Sequence, residues 1–98
     1  MYDIKIKESV LQDLEEISEY IFRMSYSIEL SNNIYDKIMA SIISLKIFPY
    51  SFPIFENNYR VITIDKRYRV FYKVDEISKV VIVQYIFGTS EDYEELIR

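Results

Sequence analysis

Apolar and polar residues alternate from Tyr2 to Lys7, with Tyr2, Ile4 and Ile6 set against Asp3, Lys5 and Lys7. A period of two places successive side chains on opposite faces of an extended chain, so this stretch predicts a half-buried β-strand. The period then lengthens. Val10, Leu14, Ile17, Ile21 and Met24 recur at three- and four-residue spacing, the stripe of an amphipathic helix running to about Met24. Ser9 stands three residues before Gln12, the spacing of a capping box at the start of that helix. "SYS" interrupts the stripe, and Ser27 is placed to cap a second helix carrying Leu30, Ile34, Ile38, Ile42 and Leu45, which Pro49 ends. A link this short makes the two helices an antiparallel hairpin, with Val10, Leu14 and Ile17 sharing a core with Ile34, Ile38 and Ile42.

"FPYSFPIFENN", from Phe48 to Asn58, reads as an irregular connection, with Phe48, Tyr50, Phe52 and Phe55 expected to pack beneath it. Three strands are predicted next, at Tyr59 to Ile64, Arg67 to Val74 and Lys79 to Phe87. Asp65-Lys66 and the stretch from Asp75 to Ser78 are short links, which imply an antiparallel meander. Gly88 offers a turn, after which "TSEDYEELIR" predicts a short acidic helix capped by Ser90. The expected architecture is α+β: strand, helical hairpin, three-stranded meander, short terminal helix. With 98 residues and no compositional break, one domain over 1–98 is expected.

Composition removes several chemistries. There is no Cys and no His, so disulfides, thiol nucleophiles, imidazole catalysis and the commonest zinc ligands are closed, and no cofactor is expected. Glu91, Asp92, Glu94 and Glu95 lack the alternating ligands and turn glycine of a calcium loop, and no metal site is assigned to them. Glu15, Glu16 and Glu19 read as the solvated face of the first helix. Charges interrupt every apolar run of the N-terminal segment, which predicts neither signal peptide nor membrane span and points to the cytoplasm.

The net charge of −4 has the wrong sign for a protein that grips phosphates over its whole surface. The charge is uneven, however. Six basic residues against three acids fall between Arg60 and Lys79. Within that span, "RYRVFYKV" splits into an apolar face, Tyr68, Val70, Tyr72 and Val74, and a largely cationic one, Arg67, Arg69, Phe71 and Lys73. An exposed Phe71 ring on that second face, with Arg60 on the neighbouring strand, would suit base stacking and phosphate binding. Half-buried strands also alternate for packing alone, so a plain solvated face is the competing reading. Val10, Leu11, Ile28 and Leu30 cannot all reach one small core, which predicts an exposed apolar groove for an amphipathic helix or for a second copy of the chain.

Five segments together carry a family resemblance: "YDIKIKESVLQDLEEISEYI", "SIISLKIFP", "YRVITI", "YRVFYKVDE" and "KVVIVQYIFGTSEDYEEL". In order and spacing they resemble the RelE/ParE superfamily of bacterial type II toxin–antitoxin toxins. The resemblance implies a helical hairpin on an antiparallel sheet and a cognate antitoxin that wraps the toxin. It also implies one of two targets, mRNA on the ribosome or DNA gyrase. Arg69 matches the arginine with which the ribosome-dependent nucleases stabilise the scissile phosphate. Arg60 matches a second basic position, but the cation two residues later is here Ile62. The later arginine or histidine of those nucleases corresponds to Ser90 or Phe87, and Tyr93 falls near their C-terminal tyrosine.

Cleavage by a 2′-hydroxyl needs a base, an acid and cations on the developing charge, and only the cations are clearly present. Glu56 is the candidate base. A ParE-like action on a protein target is therefore the favoured expectation. The alternatives are an endoribonuclease centred on Arg60, Arg69, Tyr93 and Glu56, and an inactive antitoxin-binding module.

Overall fold

Period-two alternation carries through: Ile4 and Ile6 pack inward while Asp3 and Lys5 are exposed, in β1 (Asp3–Ile6). The computed structural model describes residues 1–88. After β1 come α1 (Glu8–Ser25), α2 (Ile28–Ile43), 3₁₀ turns at Ser44–Lys46 and Glu56–Asn58, β2 (Arg60–Ile64), β3 (Tyr68–Asp75) and β4 (Val80–Gly88). The α+β order is the expected one. The terminal helix read after Gly88, with Ser90 and Tyr93, lies outside the described residues.

The first helix starts one residue before the proposed cap. Lys7 N donates to Val83 O at 3.1 Å, so the strand ladder holds Lys7 extended, and helical geometry begins at once at Glu8. Ser9 is thereby already inside the first turn, and no side chain caps it. The second helix follows expectation: Ser27 Oγ accepts from Leu30 N at 3.0 Å. Between the helices Tyr26 sits left-handed at φ 55, its N–H donating to Phe22 O at 2.7 Å. Where the helices cross, the Ser18 and Ser31 hydroxyls are 2.6 Å apart, and Ser31 Oγ donates onward to Ser18 O at 2.7 Å. Two small residues let the backbones approach, and the buried Ser31 hydroxyl finds partners inside the contact.

The meander β2–β3–β4 is antiparallel as expected, and β1 joins it in parallel beside β4, giving the order β1-β4-β3-β2. Both hairpin links use left-handed residues: Asp65 and Lys66 at φ 52 and 57, then Lys79 at φ 57. In the second, Asp75 Oδ1 accepts from Ile77 N and Ser78 N at 3.1 and 3.2 Å, an Asx turn. These bonds, that from Ser78 first, hold the Asp75 carboxyl below its ordinary pKa.

The helical hairpin covers one face of the sheet, burying Leu14, Ile38 and Ile42 against Val70, Tyr72 and Val83. Val10, expected to help form an exposed groove, is 1% exposed and belongs to this core. Phe52 and Phe55 pack as expected, whereas Phe48 and Tyr50 are exposed.

The other face carries a second, aromatic cluster of Tyr59, Phe71 and Phe87, with Phe55 and Tyr85 against it. Its cause is a bulge: pairing steps from Phe71↔Tyr85 to Tyr72↔Val83, leaving Gln84 as an extra residue in β4. Without the bulge Tyr85 and Phe87 would share the parity of Val81 and Val83 and point towards the helices. With it, Ile86 turns to the helical side and the two rings turn away. Phe71, expected as an exposed ring, is therefore 0% exposed, wedged 5.5 Å from Phe55 and 5.9 Å from Phe87.

Candidate functional site

The strand "RYRVFYKV" supplies the second face of the sheet with its charges. Arg69 lies between Thr63 and Phe87 across the ladder, and Lys73 is the partner of Ile82. Lys73 Nζ stands 4.3 Å from the centroid of the Tyr59 ring, and Lys7 Nζ stands 5.9 Å from that of Tyr85. Phe71 is the floor beneath these groups rather than a contact ring. Arg67 precedes β3 and is exposed in the β2–β3 turn.

Arg60 is not on this face. It pairs with Tyr72, whose ring belongs to the helical side, and its guanidinium points the same way. There it donates to Phe52 O at 2.7 Å and Tyr50 O at 3.3 Å, and its carbon lies 4.9 Å from the Tyr50 ring centroid. The segment it holds also runs along the β2 edge, through an Ile54↔Arg60 bridge and Val61 N donating to Pro53 O at 3.1 Å. Arg60 and Arg69, read together from the sequence, thus lie on opposite faces, because residues of opposite parity on adjacent strands project to opposite sides. Glu56 sits exposed in the 3₁₀ turn before β2. Tyr93 lies outside the described residues.

One constellation was missed. At the end of the sheet where β1 begins, the Glu76 carboxylate accepts from Tyr2 Oη at 2.8 Å and from Tyr50 Oη, and is paired with Lys79. The Lys79 contact first, then the two phenols, hold the Glu76 carboxyl down at about 2. Reciprocally, the hydrogen bond to Glu76 pushes the Tyr50 phenol up to about 12. The three segments meet only in the fold, with Tyr2 lying 74 residues from Glu76, so the turn signal at Asp75 to Ser78 was the sole local trace.

Three of the four groove residues are exposed on the helical hairpin: Leu11 at 41%, Ile28 at 66% and Leu30 at 46%. A shallow depression lined by Ser18, Glu19, Phe22, Arg23 and Ser31 opens over the helix crossing. Seven acidic and two basic residues occupy 8–37, so this side of the molecule is anionic. Among the described residues no cluster of carboxylates is arranged to hold a metal ion, and no helix is long and apolar enough to cross a membrane.

A family model described as the ParE toxin of type II toxin–antitoxin systems matches residues 4–93. The chain belongs to the ParE toxin family. A chromosomal ParDE toxin–antitoxin system from P. aeruginosa shares the fold of this ParE-family chain at a TM-score of 0.75. The two are 15% identical, over 90% of this chain and 96% of that one. The isolated E. coli RelE toxin aligns at a TM-score of 0.64 and 16% identity, over 99% and 96% of the two chains. The RelBE2 toxin–antitoxin complex of Mycobacterium tuberculosis gives 0.63 and 13%, over 89% and 96%. No curated protein matches this chain in sequence.

Proposed function

We propose that this ParE-family chain arrests growth by binding a protein target, DNA gyrase being the candidate, and that it does not cleave RNA. The observation that carries this reading is the placement of its two candidate catalytic arginines. Arg60 faces the helical side with its donors on loop carbonyls, while Arg69 belongs to the opposite face. A phosphate held by one is out of reach of the other. In-line cleavage needs a cation, an acid and a base converging on one phosphate. Inhibition by binding needs only a surface, and Arg67 in the β2–β3 turn with Lys73 over the Tyr59 ring supply cations for one.

The chain acts in the cytoplasm as a single domain and is neutralised by a cognate antitoxin, a reading supported by structural relatives that are a ParDE toxin–antitoxin system and a RelBE2 toxin–antitoxin complex. Leu11, Ile28 and Leu30 are the residues on which an amphipathic antitoxin helix would settle. The test uses purified protein in two reactions, supercoiling of relaxed plasmid by gyrase and integrity of mRNA on translating ribosomes. Supercoiling should fall while mRNA stays whole. Cut mRNA with normal supercoiling would replace this reading with the endoribonuclease.

A further inference from the structure

We infer that the partner helix which settles on the helical hairpin is cationic and sets an arginine or lysine against Glu15. Val10, Leu14 and Ile17 of α1 face the core. One residue further on, about 100° round the helix, Leu11, Glu15, Ser18 and Phe22 form a second stripe, spaced four, three and four. The Ser18 hydroxyl meets that of Ser31 in α2, so this stripe borders the groove between the two helices. The depression lined by Ser18, Glu19, Phe22, Arg23 and Ser31 opens there. Leu11 and Phe22 are both exposed, and they stand about 16 Å apart along the axis, three helical turns.

Glu15 decides the occupant. It is exposed and lies in the stripe between the two apolar residues, so a helix that covers Leu11 and Phe22 also takes water from its carboxylate. A carboxylate left unpaired in an interface weakens binding strongly, whereas one that meets a guanidinium or an ammonium keeps its charge satisfied. The hairpin offers Glu15 no such cation. Lys37 is paired with Asp65, and Arg23 is more than two turns beyond Glu15, about 12 Å along the axis. Among the described residues neither Glu15 nor Glu19 has an ion-pair partner, and they stand at the four-residue spacing where like charges on a helix repel. A partner cation relieves that repulsion as it arrives.

Charge also separates a cationic partner from a second copy of the chain. Seven acids and two bases occupy 8–37, so two hairpins packed together would oppose like charges across the groove.

The inference rests on the reading that an antitoxin helix occupies the hairpin, but its test uses designed probes. Two fluorescein-labelled helical peptides of about 15 residues, four turns long, carry leucine at spacings of four, three and four. One has arginine at the flanking positions and the other glutamate, and each is titrated by anisotropy against the full chain. The arginine peptide should bind at least about tenfold tighter, with an advantage that shrinks as salt rises. Glu15→Lys should remove that advantage, whereas Asp3→Lys, the same change in net charge placed on β1, should preserve it. Leu11→Ala/Phe22→Ala should weaken the arginine peptide, and circular dichroism confirms that each variant is folded. Equal affinity for the two peptides, binding of neither, or equal losses in Asp3→Lys and Glu15→Lys overturns the proposal. So does a dimer of the native protein, seen by sedimentation, that Glu15→Lys dissociates, because the groove would then belong to a second copy. An antitoxin that fails to rescue growth while the arginine peptide still binds would count against the antitoxin reading and not against this surface.

Discussion

Arg60→Ala separates a structural arginine from a catalytic one. The side chain donates to Phe52 O at 2.7 Å and to Tyr50 O at 3.3 Å, and it covers the Tyr50 ring. A charge-assisted bond to a carbonyl contributes about 1.5–3 kcal/mol, and the longer second bond less. Stacking at a partly exposed site adds about 0.5–1 kcal/mol. Because Arg60 is half-buried and water replaces part of the loss, the net cost is about 2–3 kcal/mol. For a domain of this size each kcal/mol shifts the melting temperature by about 4–8 °C, so thermal unfolding followed by circular dichroism should show a drop of roughly 10–20 °C. Arg60→Lys should fall between, since one ammonium cannot span both carbonyls in a fixed fork. Growth arrest measured well below the lowered melting temperature should persist. A melting temperature within about 2 °C of the native value, together with abolished arrest, would refute the structural role and restore Arg60 to a working site.

Tyr72→Phe leaves the buried Pro49 carbonyl without the phenol that donates to it at 2.7 Å, and urea denaturation should show a loss of about 1–3 kcal/mol. Phe71→Ala empties a fully buried ring site and should cost about 3–5 kcal/mol; an effect below about 0.5 kcal/mol would mean the ring is on the surface after all. Glu76 has a folded-state pKa of about 2, below its ordinary 4.5, so its contribution is present above about pH 4.5 and is lost as pH falls towards 2. In Glu76→Gln that acid-side loss should vanish, and the Tyr50 phenol should titrate nearer 10 than 12 by ultraviolet absorbance. Leu11→Asp/Ile28→Asp should leave the melting temperature within a few degrees, because both side chains are exposed, and should abolish rescue by a co-expressed antitoxin.

Local signals carried far for some elements and not for others. Alternation located β1, three-and-four spacing located both helices, and Ser27 capped α2 through a bond that depends only on nearby residues. Ser9 failed as a cap because a distant acceptor, Val83 O, fixed where the strand stopped. Phe71 was misjudged for a similar reason. Alternation says which side a residue faces, but whether that side is wet depends on what else turns towards it. Here the bulge at Gln84 sends Tyr85 and Phe87 to meet it.

Arg60 and Arg69 were legible as cations, yet their separation needed the register Arg60↔Tyr72 and Thr63↔Arg69, a matter of one residue of parity. The place of β1 needed the parallel β1–β4 pairing, which joins residues 77 apart, Asp3 with Val80 to Ile6 with Val83, and which no short-range pattern encodes.

The most direct test of protein-directed toxicity is to induce the chain in growing bacteria and read plasmid topology and mRNA ends from the same culture. Arrest accompanied by relaxed plasmid and full-length mRNA is the predicted result. Arrest with normally supercoiled plasmid and mRNA cut within translated codons, abolished by Arg69→Ala, would contradict the account.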